Sequence, residues 1–261
     1  MKVTLQGLDQ LSAFDLGISQ RRLDAALATA LTRTAVAVRD AELAELRQVI
    51  DRPTPYTERS LFVRGATATR LEAQVWFKDE RSGAGGAGTP ATYYLGPQVD
   101  GGGRRLKRFE AALRAAGHLP SGWFVVPGKG AQIDGFGNMA KGQIMQILSQ
   151  LRVQLTAGYD RAMSRDARKQ IAAQRRAGGR FFVMPPGKSR APGVYRREFM
   201  GRTVTPVAMF VRGVQYRRRF DFDGVARRVI DQRLEGEVLR AVSETLERAA
   251  QAGTQMSLAG V

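Results

Sequence analysis

Two long stretches near the ends of the chain repeat apolar residues at the 3.6-residue period of an α-helix. The first runs from Ser19 to Ile50 and the second from Asp221 to about Gln251. Ser19 begins the first stretch, and Asp221 or Asp223 begins the second; these are residue types that cap helix N-termini. The second helix is expected to bury one face, which contains Phe222, Val225, Val229, Leu239, Val242 and Leu246.

Shorter segments between these stretches alternate apolar and polar residues, or are rich in β-branched and aromatic residues, as strands are. The predicted strands are Ser60–Arg64, Arg70–Lys78, Trp123–Val126, Phe181–Met184, Val194–Phe199 and Val204–Val211. Long terminal helices with strands between them indicate an α+β fold. We expect an antiparallel sheet packed with long N- and C-terminal helices, with extended hairpin arms and an inserted helical segment.

Glycine-rich joints suggest where the insertion begins. Ser82–Thr89 is a Gly/Ala stretch without packing capacity, and Gly101–Gly103 is a second such joint. We therefore predict a core made of residues 1–80 and 200–261. Residues 81–199 would form an insertion with flexible Gly-rich joints, helices and basic arms. Leu239→Ala would cost about 2–5 kcal/mol if Leu239 belongs to that core.

Three helical segments are predicted inside the insertion. One spans Arg104 to Ala116, and another is capped by Asn138 and carries Ile147 and Leu148 on its apolar stripe. The third, Arg161 to Arg176, has few apolar residues. It is either a helix that lies on a partner or a segment that is disordered without one.

The excess positive charge is confined to one part of the chain. Residues 1–80 hold 11 Lys+Arg and 11 Asp+Glu, whereas residues 81–261 hold 30 and 13, which is the whole net charge of +17. Within the second part, Arg161–Arg219 has 16 basic residues against two acidic ones, Asp166 and Glu198. Such a block repels itself unless solvent or a negative partner compensates it, so it predicts an electrostatic contact surface.

Arginine supplies 34 of the 41 basic residues, and its planar guanidinium suits specific contacts with phosphates and carboxylates. Arg217-Arg218-Arg219 lies between Tyr216 and Phe220, so this cluster either stacks on bases or is a solvated strand end. The partner is either DNA or an acidic protein surface. The candidate contact residues are Arg161, Arg165, Arg168, Arg175, Arg176, Arg217, Arg218 and Arg219.

The residue content leaves little material for catalysis. The chain has no Cys and one His, which argues against thiolate chemistry, His-based triads and multi-His metal sites. Gly187-Lys188-Ser189 ends like a phosphate-binding loop, but Pro185-Pro186 removes the backbone donors such a loop needs. Asp221 and Asp223 are better explained as helix caps than as metal ligands. We therefore expect no enzyme activity, no cofactor and no metal site.

The membrane is not an expected partner either. No apolar run approaches the roughly 18 residues that a membrane span requires. The N-terminus from Met1 to Asp9 lacks the apolar centre of a signal peptide. The sequence thus predicts a soluble protein made inside the cell.

Three segments resemble structural proteins of tailed bacteriophages. They are Tyr93–Leu151 (YYLGPQVDGGGRRLKRFEAALRAAGHLPSGWFVVPGKGAQIDGFGNMAKGQIMQILSQL), Thr205–Leu234 (TPVAMFVRGVQYRRRFDFDGVARRVIDQRL) and the opening Leu5-Gln6-Gly7-Leu8-Asp9 followed by an Ala-rich helix. The opening is similar to the start of the lambda-type minor tail protein Z family of tail-completion proteins. The three segments occur here in the family order.

This resemblance implies a non-enzymatic component of the virion, assembled in the cytoplasm of the host bacterium. The expected subunit forms a homo-oligomeric ring at the head–tail connector or upper tail. It would contact copies of itself, neighbouring tail or connector proteins, and packaged double-stranded DNA. The alternative is a basic nucleic-acid-binding protein outside any virion, although no known nucleic-acid-binding motif is present.

Overall fold

The computed structural model describes residues 2–5, 18–78, 89–153, 166–198 and 203–258. Helices and strands are interspersed along these residues, and all strand pairs are antiparallel. In chain order the elements are β1 (Lys2–Leu5), α1 (Gln20–Val49), α2 (Pro55–Glu58), β2 (Leu61–Arg64), β3 (Ala73–Phe77), α3 (Ala91–Asp100), β4 (Gly102–Gly103), α4 (Arg108–Ala115), β5 (Trp123–Pro127), α5 (Lys141–Gln150), α6 (Ala167–Arg176), β6 (Gly179–Met184), β7 (Gly193–Glu198), β8 (Val204–Arg212), β9 (Gln215–Tyr216) and α7 (Phe222–Leu258).

The predicted fold class is confirmed. About 49% of the chain is helical and 21% is in strands, with a long helix at each end. The chain divides into two units, each with its own core. Unit 1 consists of Met1–Gly101 and Arg217–Val261, and unit 2 consists of Gly102–Tyr216.

Unit 1 is held together by its two long helices and a three-stranded sheet. The sheet has the order β1-β3-β2. Helices α1 and α7 run antiparallel, because Leu46 near the end of α1 shares a cluster with Phe222 at the start of α7. At the other end, Leu23 of α1 packs with Ala241 of α7. Burying these apolar faces against each other and the sheet stabilises both helices far more than helix propensity does.

Three phenylalanines fix the start of α7 to the sheet. Phe77 of β3 lies with its ring centroid 5.8 Å from Phe220 and 5.3 Å from Phe222. All three side chains are almost completely buried. The backbone N–H groups of Arg219 and Phe220 both donate to the carbonyl oxygen of Gln98 in α3. The sequence analysis did not predict α3, whose Ala91, Leu95 and Val99 join the same core.

The prediction that Leu239 belongs to the core is wrong. Its side chain is 62% exposed, whereas Val238 and Ala241 are buried against α1. Helix α7 has 37 residues, and over that length the buried face of a straight α-helix rotates relative to a fixed seven-residue repeat of apolar positions. The buried face of α7 at this level is therefore about one residue away from the predicted one.

Unit 2 contains a four-stranded antiparallel sheet with the order β5-β8-β7-β6. Helices α4 and α5 cover one face of this sheet, where Leu113 and Ile147 join a buried cluster with strand residues. Strand β8 lies inside this sheet. The sequence analysis placed this strand, as Val204–Val211, with the terminal helices; it packs instead with α4 and α5 through Val207, Ala208 and Phe210.

The boundaries of the units also differ from the predicted ones. The first break falls after Gly101, inside the predicted joint Gly101–Gly103, rather than after residue 80. The second falls after Tyr216 rather than at residue 199. Of the predicted joint Ser82–Thr89, residues 82–88 lie outside the described residues.

Two predicted helix caps have different roles in the structure. Helix α5 begins at Lys141, after Ala140, and Asn138 does not cap it. Asn138 belongs to a turn in which its backbone N–H and that of Phe136 donate to Asp134 Oδ1, both at 2.9 Å. Ser19 does occupy the N-cap position of α1, but its side chain makes no capping hydrogen bond.

Candidate polyanion-binding surface

The net charge of the protein belongs almost entirely to unit 2. Unit 1 has 20 Lys+Arg and 19 Asp+Glu, a net charge of +1. Unit 2 has 21 Lys+Arg and five Asp+Glu, a net charge of +16 in 115 residues. A field of one sign over so small a unit attracts anions and opposes packing against another basic surface.

The few carboxylates of unit 2 compensate little of this charge at the surface. Glu110 is buried, and Asp134 and Asp166 accept backbone hydrogen bonds in a turn and at a helix N-terminus. Glu198 is exposed at the end of β7. Asp160 lies outside the described residues. Among the described residues of unit 2, exposed arginines therefore far outnumber exposed carboxylates.

Glu110 and Arg104 form a buried ion pair that supports the sheet. Arg104 Nη2 and Nη1 lie 2.5 and 2.6 Å from the two carboxylate oxygens of Glu110. The same carboxylate accepts the backbone N–H groups of Lys107 and Val125, both at 2.7 Å. Burial favours a raised pKa for Glu110, but these hydrogen bonds outweigh it and the pKa is lowered. Glu110 thus stays ionised and joins α4 to β5.

Helix α6 carries the predicted contact residues that the structure describes in unit 2. Its N-cap is Asp166, whose carboxylate accepts the backbone N–H groups of Arg168 and Lys169 at 2.8 and 3.2 Å. Arg168, Arg175 and Arg176 are all exposed on this helix. The prediction of a helix in this basic stretch holds from Ala167 to Arg176. Arg161 and Arg165 lie outside the described residues.

The other predicted cluster, Arg217–Arg219, belongs to unit 1 and not to unit 2. All three side chains are exposed where the chain approaches α7. Arg218 Nη2 lies 2.5 Å from Asp221 Oδ1, so an acidic residue already compensates this arginine. The Asp221 carboxylate also lies against Gly224 in the first turn of α7, where a Cβ would overlap it. Asp221 is thus a helix-end residue, as the sequence analysis favoured.

Sequence reasoning missed a second pair of arginines. Arg180 of β6 and Arg197 of β7 are directly opposite each other in the ladder, and both are exposed. Like charges at such positions destabilise a sheet unless a partner compensates them. The Arg197 guanidinium lies 5.7 Å from the ring centroid of Phe182, which stacks on Tyr195 at 6.0 Å. The sequence does contain a signal for this arrangement. The predicted strands Phe181–Met184 and Val194–Phe199 flank the proline-rich segment Pro185–Pro192, and pairing them as a hairpin would have brought the two arginines together.

Further cations lie in the turns that connect the strands. Lys188 and Arg190 are exposed in the turn between β6 and β7. Lys129 is exposed in the loop after β5, between Gly128 and Gly130, whose Cα atoms approach Pro206 and Thr205 of β8 too closely for a Cβ. The loop after β5 lies beside the start of β8, where Gly130 N–H donates to the carbonyl oxygen of Pro206, and the β6–β7 turn lies towards the end of β8, where Phe210 N–H donates to that of Pro192. Exposed cations therefore lie at both ends of the sheet.

Among the described residues, no group of three or more His, Cys, Asp or Glu side chains could hold a metal ion. A groove between α1 and α7, lined in part by Ala25, Thr29 and Ala241, has a volume of about 240 Å³. That is smaller than the roughly 300–1,000 Å³ of typical ligand sites. Of the helices that the structure describes, none has the length and apolar character of a membrane span.

Comparison of the chain with family models, curated proteins and solved structures found no match. The function must therefore be inferred from the chain's own residues.

Proposed function

We propose that this protein is a structural subunit that binds a polyanion through unit 2, without catalysing a reaction. The observation that carries this proposal is the segregation of charge: +16 in unit 2 and +1 in unit 1. Both units belong to one chain, so a general preference for arginine would raise the charge of both and does not explain the difference in net charge. A surface in unit 2 that binds an anionic partner does explain it.

Duplex DNA is the polyanion we propose. Each phosphate can accept hydrogen bonds from one guanidinium fork, and arginine and lysine at phosphates release condensed counterions into solution. Arg168 and Arg176 of α6 and Lys188 and Arg190 of the β6–β7 turn are exposed and suited to such contacts. Contacts of this kind bind the backbone without reading base sequence.

The proposed setting is a tailed-phage particle, where the subunit forms a homo-oligomeric ring at the head–tail connector or upper tail. The resemblance of Tyr93–Leu151 and Thr205–Leu234 to structural proteins of tailed phages supports this setting, as does the resemblance of the opening of the chain to a tail-completion protein. Neighbouring tail or connector proteins would be its other partners. A host protein that binds nucleic acid outside a virion shares the same charge and is the alternative.

The DNA proposal is tested by the salt dependence of binding. We expect the purified protein to bind a fluorescent duplex with an affinity that falls linearly in log salt. Replacing Arg168, Lys188 and Arg190 by Gln should make the slope shallower by up to about 2.7, at about 0.9 per lost phosphate contact. Replacing Arg21, Arg227 and Arg233 of unit 1 by Gln removes the same charge and should leave the slope nearly unchanged.

Equal slopes for the two triple variants would contradict the assignment of DNA binding to unit 2. The setting is tested separately, by mass spectrometry of particles purified after induction of a prophage that encodes this chain. Peptides of the protein at a fixed ratio to the major tail protein are expected. Their absence from particles, with DNA binding intact, would favour the host nucleic-acid-binding protein instead.

A further inference from the structure

The described helices of unit 2 pack on one face of its four-stranded sheet, and none of them packs on the second face. The cluster that contains α4 and α5 takes its strand residues, such as Val125, Phe181 and Phe210, from the first face. Successive side chains of a strand point to opposite faces of the sheet, so the neighbours of these residues in each strand lie on the second face. We call this second face the open face; its large apolar side chains are half-buried and comprise Phe124, Val126, Phe182, Met184, Met209 and Val211.

The open face has a basic end. Arg180 and Arg197 lie on it directly opposite each other, next to Phe182 and Tyr195. No acidic residue shares the open face, since the only acidic strand residue here, Glu198, is opposite Gly179 and points to the other side. The face is therefore an apolar surface about four strands wide that ends in two guanidinium groups.

The aromatic rings of the open face are poorly placed to stack on nucleic acid bases. The Arg104 guanidinium lies 4.9 Å from the ring centroid of Phe124, and that of Arg197 lies 5.7 Å from the ring centroid of Phe182. Tyr195 is only 4% exposed. Met184 and Met209, by contrast, are flexible apolar side chains that adapt to a protein partner. These features favour an apolar protein segment with carboxylates at one end over single-stranded nucleic acid.

Unit 1 presents a segment with that pattern. Asp231, Glu235, Leu239, Val242 and Leu246 are spaced by four, four, three and four residues along α7, so they lie on one side of the helix. Leu239 is 62% exposed, and both carboxylates are exposed at the N-terminal end. Val242 and Leu246 are half-buried, and Val242 also packs against the cluster that α7 forms with α1. None of the ion pairs among the described residues involves Asp231 or Glu235. We call these five residues the α7 stripe.

We infer that the open face of unit 2 binds the α7 stripe of unit 1 in a second copy of this chain. The two surfaces match in length, because 15 helical residues span about 22 Å and six strand residues span about 20 Å. Leu239, Val242 and Leu246 would pack on the methionines and phenylalanines of the open face. Asp231 and Glu235 would then meet Arg180 and Arg197.

The charges of the two units favour this pairing over the others. Packing unit 2 on unit 2 of another copy would bring two surfaces of +16 together, whereas unit 1 has a net charge of +1. A contact between two different surfaces of the same chain is heterologous, and repeating it makes a closed ring or an open filament. This contact would be the interface of the homo-oligomer proposed above, and it rests on the proposal that the protein assembles with itself. DNA binding by unit 2 does not depend on it.

Two variants test the interface, each changing exposed residues of one surface. Leu239→Lys blocks the stripe, and Arg180→Glu with Arg197→Glu blocks the open face. In sedimentation velocity at tens of micromolar protein, we expect the wild type to form assemblies larger than a dimer. Each variant alone should sediment as a monomer of 28.6 kDa. Arg21→Glu with Arg233→Glu is the matched control, because both arginines are exposed and lie off the α7 stripe, and it should assemble as the wild type does.

Mixing the two variants gives the sharper result. One variant keeps an intact open face and the other an intact stripe, so an equimolar mixture should form heterodimers that grow no further. A misfolded variant could not produce them. Combining Arg180→Glu and Arg197→Glu with Asp231→Arg and Glu235→Arg in one chain should restore assembly, because the charges are exchanged.

The inference is overturned if the mixture stays monomeric or if either variant assembles as the wild type does. A wild type that is monomeric, but binds a single-stranded oligonucleotide through Arg180 and Arg197, would assign the open face to nucleic acid. Loss of assembly in both variants with an unchanged salt slope for duplex DNA would separate self-assembly from polyanion binding. If the duplex does not bind but the mixture forms heterodimers, the interface stands and the DNA proposal falls.

Discussion

The two units have cores of similar kind but treat their charged residues differently. In unit 1, arginines find carboxylates within the same unit, as in Arg33 with Glu244 at 3.0 Å and Arg47 with Glu58 at 2.9 Å. In unit 2, Arg104 and Glu110 form a buried ion pair. Exposed pairs contribute little to stability, so the difference concerns surfaces. Unit 1 has a net charge of +1, whereas unit 2 has a net charge of +16.

The buried glutamates of the two units show the same contrast in reverse. Glu110 of unit 2 accepts hydrogen bonds from a guanidinium and two backbone N–H groups, and its pKa is lowered. Glu42 of unit 1 is equally buried, but neither of its carboxylate oxygens has a hydrogen-bond partner among the described residues. Its pKa is raised to about 9. The unit with balanced charge thus contains the uncompensated carboxyl group.

The largest effect is expected from breaking the pair in unit 2. Arg104→Met leaves a buried ionised carboxylate without its guanidinium and should destabilise unit 2 by about 3–5 kcal/mol. The chain has two tryptophans, Trp76 in β3 and Trp123 in β5, so each unit has its own fluorescent reporter. Urea unfolding of a Trp76→Phe background, followed through Trp123, measures the loss.

The double variant Arg104→Met with Glu110→Gln is the control for this measurement. Gln has no charge and keeps one acceptor oxygen, which can replace the carboxylate oxygen at either the Val125 or the Lys107 N–H group but not at both. It should therefore recover part of the lost stability. A loss below about 1 kcal/mol for Arg104→Met alone would show that solvent reaches the Glu110 carboxylate.

A second comparison distinguishes the buried and exposed faces of the long helices in unit 1. Leu27 of α1 is 1% exposed and packs with Val238 and Ala241 of α7. Leu27→Ala should cost about 2–5 kcal/mol, because it removes apolar contacts and leaves a cavity. Leu239→Ala on the exposed side of α7 should stay within about 0.5 kcal/mol. Both are measured through Trp76 in a Trp123→Phe background, and equal losses would place Leu239 in a core.

Much of the fold could be predicted from the sequence because it depends on local patterns. Strands β2, β3, β5, β6, β7 and β8 and both long helices were predicted from residue periodicity and from breakers such as Pro53 and Pro55. Helix α3 was missed because Pro97 lies inside it and Gly96 precedes that proline. The assignment of β8 to unit 2 was missed because it depends on which distant strands pair, and alternation within one strand does not encode that.

The candidate site was predicted only in part, for a related reason. A run of arginines in sequence shows that charge accumulates, but Arg176 and Arg217 prove to belong to different units. Arg180 and Arg197 are 17 residues apart and become neighbours only through the register of the β6–β7 hairpin. The ion pair between Arg104 and Glu110 could not be predicted either, because an acidic residue in the first turn of a short helix is common and gives no sign of a buried partner. Clusters formed by tertiary pairing leave little trace in composition.

The smallest effect concerns Glu42 and the pH dependence of unit 1. Burial raises its pKa most, and the carboxylates of Glu45, Asp223 and Asp221 add to this, while Arg228 opposes it. An unfolded glutamate has a pKa of about 4.3. Between that value and about 9, the folded unit holds a proton that the unfolded chain releases. Stability from this group is therefore fully present below about pH 4.3 and declines as the pH rises towards 9.

Glu42→Gln should remove this slope, because an amide does not titrate. The wild type should lose up to about 1.4 kcal/mol of unfolding free energy for each pH unit between pH 7 and 8. The Gln variant should lose measurably less, and Asp40→Asn, an exposed acid two residues earlier on α1, should behave as the wild type does. Urea unfolding through Trp76 at the two pH values makes the comparison. An identical slope in Glu42→Gln and wild type would mean that Glu42 is ionised in the folded protein. A cation or solvent would then have to reach its carboxylate, and unit 1 would compensate its buried acid as unit 2 does.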